Sequence, residues 1–403
     1  MAMAKIAYVC SGGAAKAGAF HLGVAKALRE AGFNFIGGTA PSASARGTPG
    51  PRDISIYVGS SAGAIISTFL AAGYSIQSIL ASFMQNDARN APAPGDKPLT
   101  PLSYKKMFML RPAIAREQAE PFLSSIRLFS RKHQEQQKIP LQFKWFKATG
   151  IFSTGGIEKY LRDDVLTSND FSDYLADLFI VATDLNYSRK VVFGKSSILP
   201  QSTPSCTYSG HATISEACAA STALPFVYAP YTIKSPDGTS VHYVDGEIRD
   251  TLSAHVAVDA GAELVIASYT HQPLHTPHGE SLAGRGLPAI LIQSLYLAFE
   301  DKITRAREDR EDREAALAEI DGICRKNRVS PKVRDAIRAV FKQKLGLKPG
   351  VKTIYIHPDP ADEEMFFGEH FSLSAKNLQK IADAGFKAAA ARAEDFSQFL
   401  QSP

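Results

Sequence analysis

Five residues, Gly59-Ser60-Ser61-Ala62-Gly63, constrain what this chain can fold into more than any other stretch of its 403 residues. An apolar, β-branched run, Ile54-Ser55-Ile56-Tyr57-Val58, precedes them, and Ala64-Ile65-Ile66-Ser67-Thr68-Phe69-Leu70 follows. The pattern is G-x-S-x-G between a predicted strand and a predicted helix, the context that gives the motif meaning. A serine on so sharp a strand-to-helix turn needs small residues two positions to either side, because strand and helix must come close. Gly59 and Gly63 supply them. The turn pushes Ser61 Oγ out at the carboxyl edge of a sheet. Behind it sits a helix N-terminus, whose dipole favours developing negative charge. Ser61 is therefore a candidate nucleophile. The competing reading is a structural turn that carries the pentapeptide by chance.

A second glycine-rich turn narrows the choice. Lys5-Ile6-Ala7-Tyr8-Val9-Cys10 reads as a first strand and runs into Ser11-Gly12-Gly13-Ala14-Ala15-Lys16-Ala17-Gly18. A helix follows from about Ala19 to Glu30, with Phe20, Val24, Ala27 and Leu28 on one face and Gly32 past its end. Adjacent glycines let successive N–H groups turn the same way and form an anion-binding concavity. A tetrahedral oxyanion needs such preorganised donors. A nucleotide-phosphate turn is disfavoured, because the segment fits neither G-x-x-x-x-G-K-[ST] nor G-x-G-x-x-G. A third piece, Tyr243-Val244-Asp245-Gly246, ends the apolar strand that begins at Val241. An aspartate at a strand end beside a serine can act as its base; an Asp-Gly pair alone is an ordinary turn.

Together these pieces resemble the patatin-like phospholipase family. Ser11-Gly12-Gly13 through Lys16, with Gly18-Ala19-Phe20-His21-Leu22-Gly23-Val24, is similar to the family's oxyanion loop and first helix. Gly59-Ser60-Ser61-Ala62-Gly63 resembles its nucleophile elbow, and Ala182-Thr183-Asp184-Leu185-Asn186 its mid-domain strand end. Ala220-Ser221-Thr222-Ala223-Leu224-Pro225 resembles the segment before its aspartate, and Asp245-Gly246 stands in place of its Asp-Gly-Gly/Ala. All five occur in family order over roughly residues 5–270. Phe366-Phe367-Gly368, Phe371-Ser372-Leu373 and Ala384-Gly385-Phe386 resemble the tail of bacterial members.

The resemblance implies a three-layer α/β/α fold with a central, mostly parallel sheet and helical additions. It implies a serine acyl-ester hydrolase acting on lipid or phospholipid esters, with no cofactor and no metal. Ser61 would attack, Asp245 would take and return the proton, and Gly12, Gly13 and Ala14 would offer N–H groups to the oxyanion. Lys16 is the loop's basic residue. Two departures stand out. Ala17 intervenes between Lys16 and Gly18, and the third residue of the glycine triplet is Ala14. Glu247, not a small residue, follows Asp245-Gly246, and a second carboxylate there is expected to raise the Asp245 pKa if the two are close. Two other classes compete. One is a lipid-binding or regulatory pseudoenzyme. The other is an α/β-hydrolase with a Ser-His-Asp triad, whose histidine would lie beyond the acid. His255, in a predicted helix, and His271, at the end of the predicted strand Leu264–Tyr269, have the required order.

Length and a 45% hydrophobic content suit one large α/β protein. Cys10, Cys206, Cys218 and Cys324 are widely spaced without C-x-x-C, which argues against zinc or a disulfide framework. No apolar run approaches the ~18–20 residues that span a bilayer. The first strand begins almost at once and leaves no room for a signal peptide. A cytoplasmic protein, or one peripheral to the membrane, is expected, with export by a signal-independent route left open; the sequence sets no oligomeric state. The net charge of +5 is uneven: residues 97–147 hold eleven Lys or Arg against three Glu, interleaved with aromatics such as Phe108, Phe129 and Trp145. Such a surface suits anionic lipid, unless the aromatics face the core. No motif supports nucleic acid. The expected organisation is a catalytic core over 1–272 with a basic insertion at about 86–150, a helical outgrowth over 273–350, and a segment over 351–403 that returns to the core through the alternating strand Val351–Ile356.

Overall fold

Uninterrupted apolar runs such as Ile6–Cys10 and Leu264–Ser268 are buried only where both faces of a sheet are covered, and the computed structural model of the chain has such a sheet. It describes residues 5–40, 49–84, 92–111, 149–204, 206–278, 280–345, 348 and 350–401. Its strands in chain order are β1 (Ile6–Cys10), β2 (Asn34–Phe35), β3 (Asp53–Ser60), β4 (Met109–Leu110), β5 (Phe152–Ser153), β6 (Asp177–Asp184), β7 (Arg189–Phe193), β8 (Cys206–Ser209), β9 (Tyr231–Lys234), β10 (Ser240–Asp245), β11 (Leu264–Ser268) and β12 (Lys352–Ile356). Ten form one sheet with the spine β12-β11-β1-β3-β6-β10-β9. From β12 to β6 all neighbours are parallel, whereas β10, β9 and β7 join antiparallel. The sheet is mixed and mostly parallel, with helices on both faces, as expected.

Alternate residues of the central strands feed two cores. Ile6, Tyr8, Ile54, Tyr57, Leu178, Ile180, Leu264 and Ile266 point to one, shared with the helices Ala14–Glu30, Ala62–Ala71 and Ala375–Ala390. Ala7, Val9, Ile56, Val58, Phe179, Val181, Val265 and Ala267 point to the other, with Val256 and Ala257 of the helix Ala254–Asp259 and Ile303 of the 40-residue helix Leu287–Lys326.

The first helix begins at Ala14, a turn earlier than its apolar spacing suggests, so Lys16 lies inside it and is buried. The helix Ala375–Ala390 lies across it at two glycines. A Cβ on Gly23 would fall 1.9 Å from the Ala382 carbonyl oxygen, and one on Gly385 2.2 Å from that of Phe20. The long helix buries Tyr296, Phe299 and Ile303, while Arg305 and Arg313 form exposed i,i+4 pairs with Asp301 and Asp309. Its Arg310 reaches Thr353 Oγ1 and the Val351 carbonyl beside β12. Most of the basic insertion lies outside the described residues, Phe129 and Trp145 included. Phe108 is described, and it is not a free aromatic: its ring packs on those of Phe152, Tyr228 and Phe371.

Candidate active site

The turn at Ser61 is strained. With φ 52° and ψ −123°, Ser61 sits in a region that non-glycine residues rarely enter, at a cost of roughly 1–3 kcal/mol. Packing holds it there. A Cβ on Gly59 would lie 2.4 Å from the Gly63 carbonyl oxygen, and one on Gly63 2.2 Å from that of Cys10. Only glycine fits at either position, as the spacing predicts. The Ser61 N–H donates to Ser221 Oγ at 2.8 Å, and the Ser221 hydroxyl donates to the Val181 carbonyl at 2.6 Å.

The register of β6 brings Asp245 to the serine. β3 runs parallel along β6 and ends with Ser60 opposite Val181. β10 runs antiparallel along the same strand and ends with Asp245 opposite Ala182. The two strand ends therefore meet at consecutive residues of one strand. Asp245 is fixed there by its own N–H to the Ala223 carbonyl at 3.0 Å and by the Thr183 hydroxyl on its carbonyl at 3.0 Å. Burial pushes the Asp245 carboxyl up to about 6, against hydrogen bonds from the Ser61 hydroxyl and the Glu247 N–H that favour the carboxylate.

Glu247 bears on Asp245 in two ways. Glu247 acts on Asp245 through its backbone N–H, which lowers the aspartate's pKa. Charge repulsion between the two buried carboxyls is mutual and disfavours ionising both at once. Burial first, then the nearby Asp245 and Asp250, push the Glu247 carboxyl up to about 8, against hydrogen bonds from Ser60 and Gly12. Glu247 also reaches the glycine loop. Its Oε1 accepts the Gly12 N–H at 2.8 Å and the Ser60 hydroxyl. Of the three expected oxyanion donors, Gly12 is thus already engaged, while the N–H groups of Gly13 and Ala14 meet no acceptor among the described residues.

Lys16 points away from this chemistry. Its Nζ donates to Tyr296 Oη at 3.2 Å and the Phe366 carbonyl at 3.4 Å, and burial lowers it to about 8. It ties the loop to the C-terminal part of the chain and is not a solvated residue. His21 braces the loop from below. Its Nε2 lies 2.9 Å from the Ser11 carbonyl and Nδ1 2.7 Å from Ser268 Oγ. A carbonyl only accepts, so Nε2 carries the hydrogen and the Ser268 hydroxyl donates to Nδ1. Burial holds this ring neutral, at about 4.

Neither candidate triad histidine bridges Ser61 and Asp245. His255 is exposed and bonds Lys190, with Asp250 nearby. His271 is buried against the rings of Tyr296 and Phe299, its Nδ1 is 3.9 Å from Glu247 Oε2, and burial lowers its pKa to about 3.

Ser61, Asp245, Glu247 and His271 line one cavity of about 520 Å³ whose walls are otherwise mostly apolar, from residues such as Leu22, Phe69, Ile157, Tyr228 and Phe371. Sequence reasoning named Ser221 only as part of a motif and gave His21 and Tyr296 no role. Their signals were weak: a serine in a small-residue run, and a histidine and a tyrosine at positions that pass for core.

A strand-to-helix turn carrying a strained serine at the carboxyl edge of a sheet covered on both faces defines an α/β/α protein with a nucleophile-elbow geometry. Residues 8–258 match the family described as Patatin-like phospholipase. The chain belongs to that family, and membership implies a lipid acyl hydrolase. No curated protein matches the chain. Among the described residues, no helix is long and apolar enough to cross a membrane.

Proposed function

We propose that this protein cleaves acyl esters of lipids through Ser61 and Asp245, by way of a covalent acyl-enzyme. The observation that carries this reading is the meeting of the two strand ends on β6, which sets a strained serine beside a buried aspartate at an apolar cavity. In the first half-reaction Ser61 Oγ attacks the ester carbonyl carbon and its proton passes to the Asp245 carboxylate. The carbonyl π pair moves onto oxygen, where the Gly13 and Ala14 N–H groups stabilise it. As the intermediate collapses, the bond to the leaving alcohol breaks and Asp245 returns the proton to that oxygen. Water then attacks the acyl-enzyme by the same route. The cavity takes the acyl chain, whose burial contributes roughly 0.8 kcal/mol per methylene.

Ser61→Ala and Asp245→Asn should each abolish hydrolysis of a short chromogenic ester in folded protein, and a fluorophosphonate should label Ser61 and no other residue. His271→Ala should retain most of the activity. Loss of activity in folded His271→Ala would establish the triad instead, and labelling of Ser60 or Ser11 would displace Ser61. Peripheral contact with anionic lipid through residues 97–147 belongs to the same proposal, supported by the cation excess of that segment.

A further inference from the structure

From the arrangement of the Glu247 carboxyl, we infer that Glu247 is a further catalytic residue: its Oε2–H donates a hydrogen bond to the ester oxyanion in place of the engaged Gly12 N–H. This rests on the serine-hydrolase reading above. The geometry distinguishes the two oxygens of the carboxyl. Oε1 accepts two hydrogen bonds, from the Gly12 N–H and the Ser60 hydroxyl. The Gly12 N–H can only donate, so Oε1 takes the carbonyl-like role and the acid's proton is assigned to Oε2. Oε2 has no hydrogen-bond partner among the described residues, although Glu247 is only 4% exposed. His271 Nδ1, 3.9 Å away, is beyond hydrogen-bond reach and also lacks a partner among the described residues.

Glu247 packs beside the serine at the glycine loop. A Cβ on Gly12 would lie 2.9 Å from Ser61 Cβ, 2.6 Å from Glu247 Cγ and 3.3 Å from Glu247 Cδ, so the carboxyl and the serine crowd the same point of the loop. Both line the cavity that would hold the ester. The surroundings favour the protonated acid. Burial and the neighbouring Asp245 and Asp250 push the Glu247 carboxyl up to about 8. Burial keeps His271 neutral, with lesser contributions from the other titratable groups on this side, His370, Lys16 and His21. A carboxylic acid kept neutral in an apolar site is a strong hydrogen-bond donor. During turnover no proton leaves Glu247. The Ser61 proton goes to Asp245 and returns to the alcohol, while Oε2–H only shares its hydrogen with the oxyanion.

The test compares wild type with Glu247→Leu, Glu247→Ala and Glu247→Gln on one soluble ester, with Ser61→Ala as control. Loss of an oxyanion donor lowers kcat by about 10²–10³-fold, and that loss, with little change in KM, is expected for Glu247→Leu and Glu247→Ala. Glu247→Gln keeps an acceptor for Gly12 and Ser60 and a donor on the other atom. It should restore most of the lost kcat and remove the fall in kcat above about pH 8 that is expected of wild type. If Glu247 merely plugs the loop, Glu247→Ala frees the Gly12 N–H and kcat rises, which overturns the proposal. Wild-type hydrolysis equal to that of Ser61→Ala would sink the serine-hydrolase reading itself. A readout without turnover decides Glu247 in either case: an infrared carboxylic-acid band present at pH 7 and absent in Glu247→Gln. Absence of that band in wild type means an ionised, non-donating carboxyl and ends the proposal, even if the leucine variant fails to fold.

Discussion

Asp245 is held in a place that disfavours its charged form, yet the proposed reaction needs that form. Its carboxyl rises from 3.8 to about 6 because it is buried. A carboxyl whose folded pKa is raised costs nothing while both states are protonated. It destabilises the fold increasingly as pH climbs through the interval between the two values. Above about pH 6 the cost is complete, at about 3 kcal/mol. Asp245→Asn should therefore melt at a higher temperature than wild type at pH 8, while the two should nearly coincide at pH 4. An equal gap at both values would mean that burial of charge is not what separates them. The same shift governs turnover. Activity should fall as pH drops through about 6, where Asp245 takes up its proton. That limb overlaps the range of a free histidine, so a pH profile does not separate dyad from triad here, and the His271→Ala variant does.

At the scale of elements, packing distance separates glycines that look alike in sequence. Gly18 and Gly23 both lie in the helix Ala14–Glu30. A Cβ on Gly18 meets nothing closer than Ile66 Cδ1 at 3.6 Å, an ordinary contact, whereas one on Gly23 runs into the backbone of Ala382. Gly18→Ala should be neutral or gain the roughly 0.5–1 kcal/mol that alanine brings to a helix interior. Gly23→Ala should lose roughly 1–3 kcal/mol or more through forced separation of the two helices. Denaturant melts of the two variants check this, and equal midpoints would contradict the close crossing. β6 shows what one element contributes to a site without supplying a reactive group. Its residues Val181 and Ala182 receive the ends of β3 and β10, one parallel and one antiparallel. That change of direction points two strand ends at each other.

At the scale of the whole molecule, the part of the chain beyond residue 258 completes the sheet and the cavity. β11 pairs with β1, β12 pairs with β11, and the helix Ala375–Ala390 buries Leu378, Ile381 and Ala382 in the first core. Tyr296, Phe299 and Phe371 close one side of the cavity. A chain ended after residue 350 would expose the edge of β11 and the apolar face of the first helix. It should aggregate or lose its cooperative thermal transition, and a sharp melt with retained ester hydrolysis would show that the tail is dispensable. The basic insertion is tested on the full chain. Co-sedimentation with vesicles containing anionic lipid should exceed that with neutral vesicles and weaken as salt rises, each cation near the surface contributing about 1 kcal/mol. Hydrolysis of a soluble ester should not follow salt in that way. Binding that ignores both lipid charge and salt would place the cations in an ordinary solvated face.

Local pattern made the strands, the elbow and the glycine loop legible in the sequence. Uninterrupted apolar runs mark strands covered on both faces, and glycines at fixed offsets mark a turn that only glycine allows. The order of Ser61, Asp245 and the loop along the chain was legible for the same reason: each lies at a strand end, and strand ends can be read one at a time. What the sequence could not state was which strand ends meet. That depends on register along β6, a relation between residues some 60 to 120 positions apart in the chain. The inward turn of Phe108, the burial of Lys16 and the hold of Glu247 on Gly12 depend equally on partners distant in sequence. A carboxylate beside the proposed catalytic aspartate reads in sequence as one more charge. Only the tertiary structure decides that its charge is disfavoured there, because only folding removes the water that would have stabilised it.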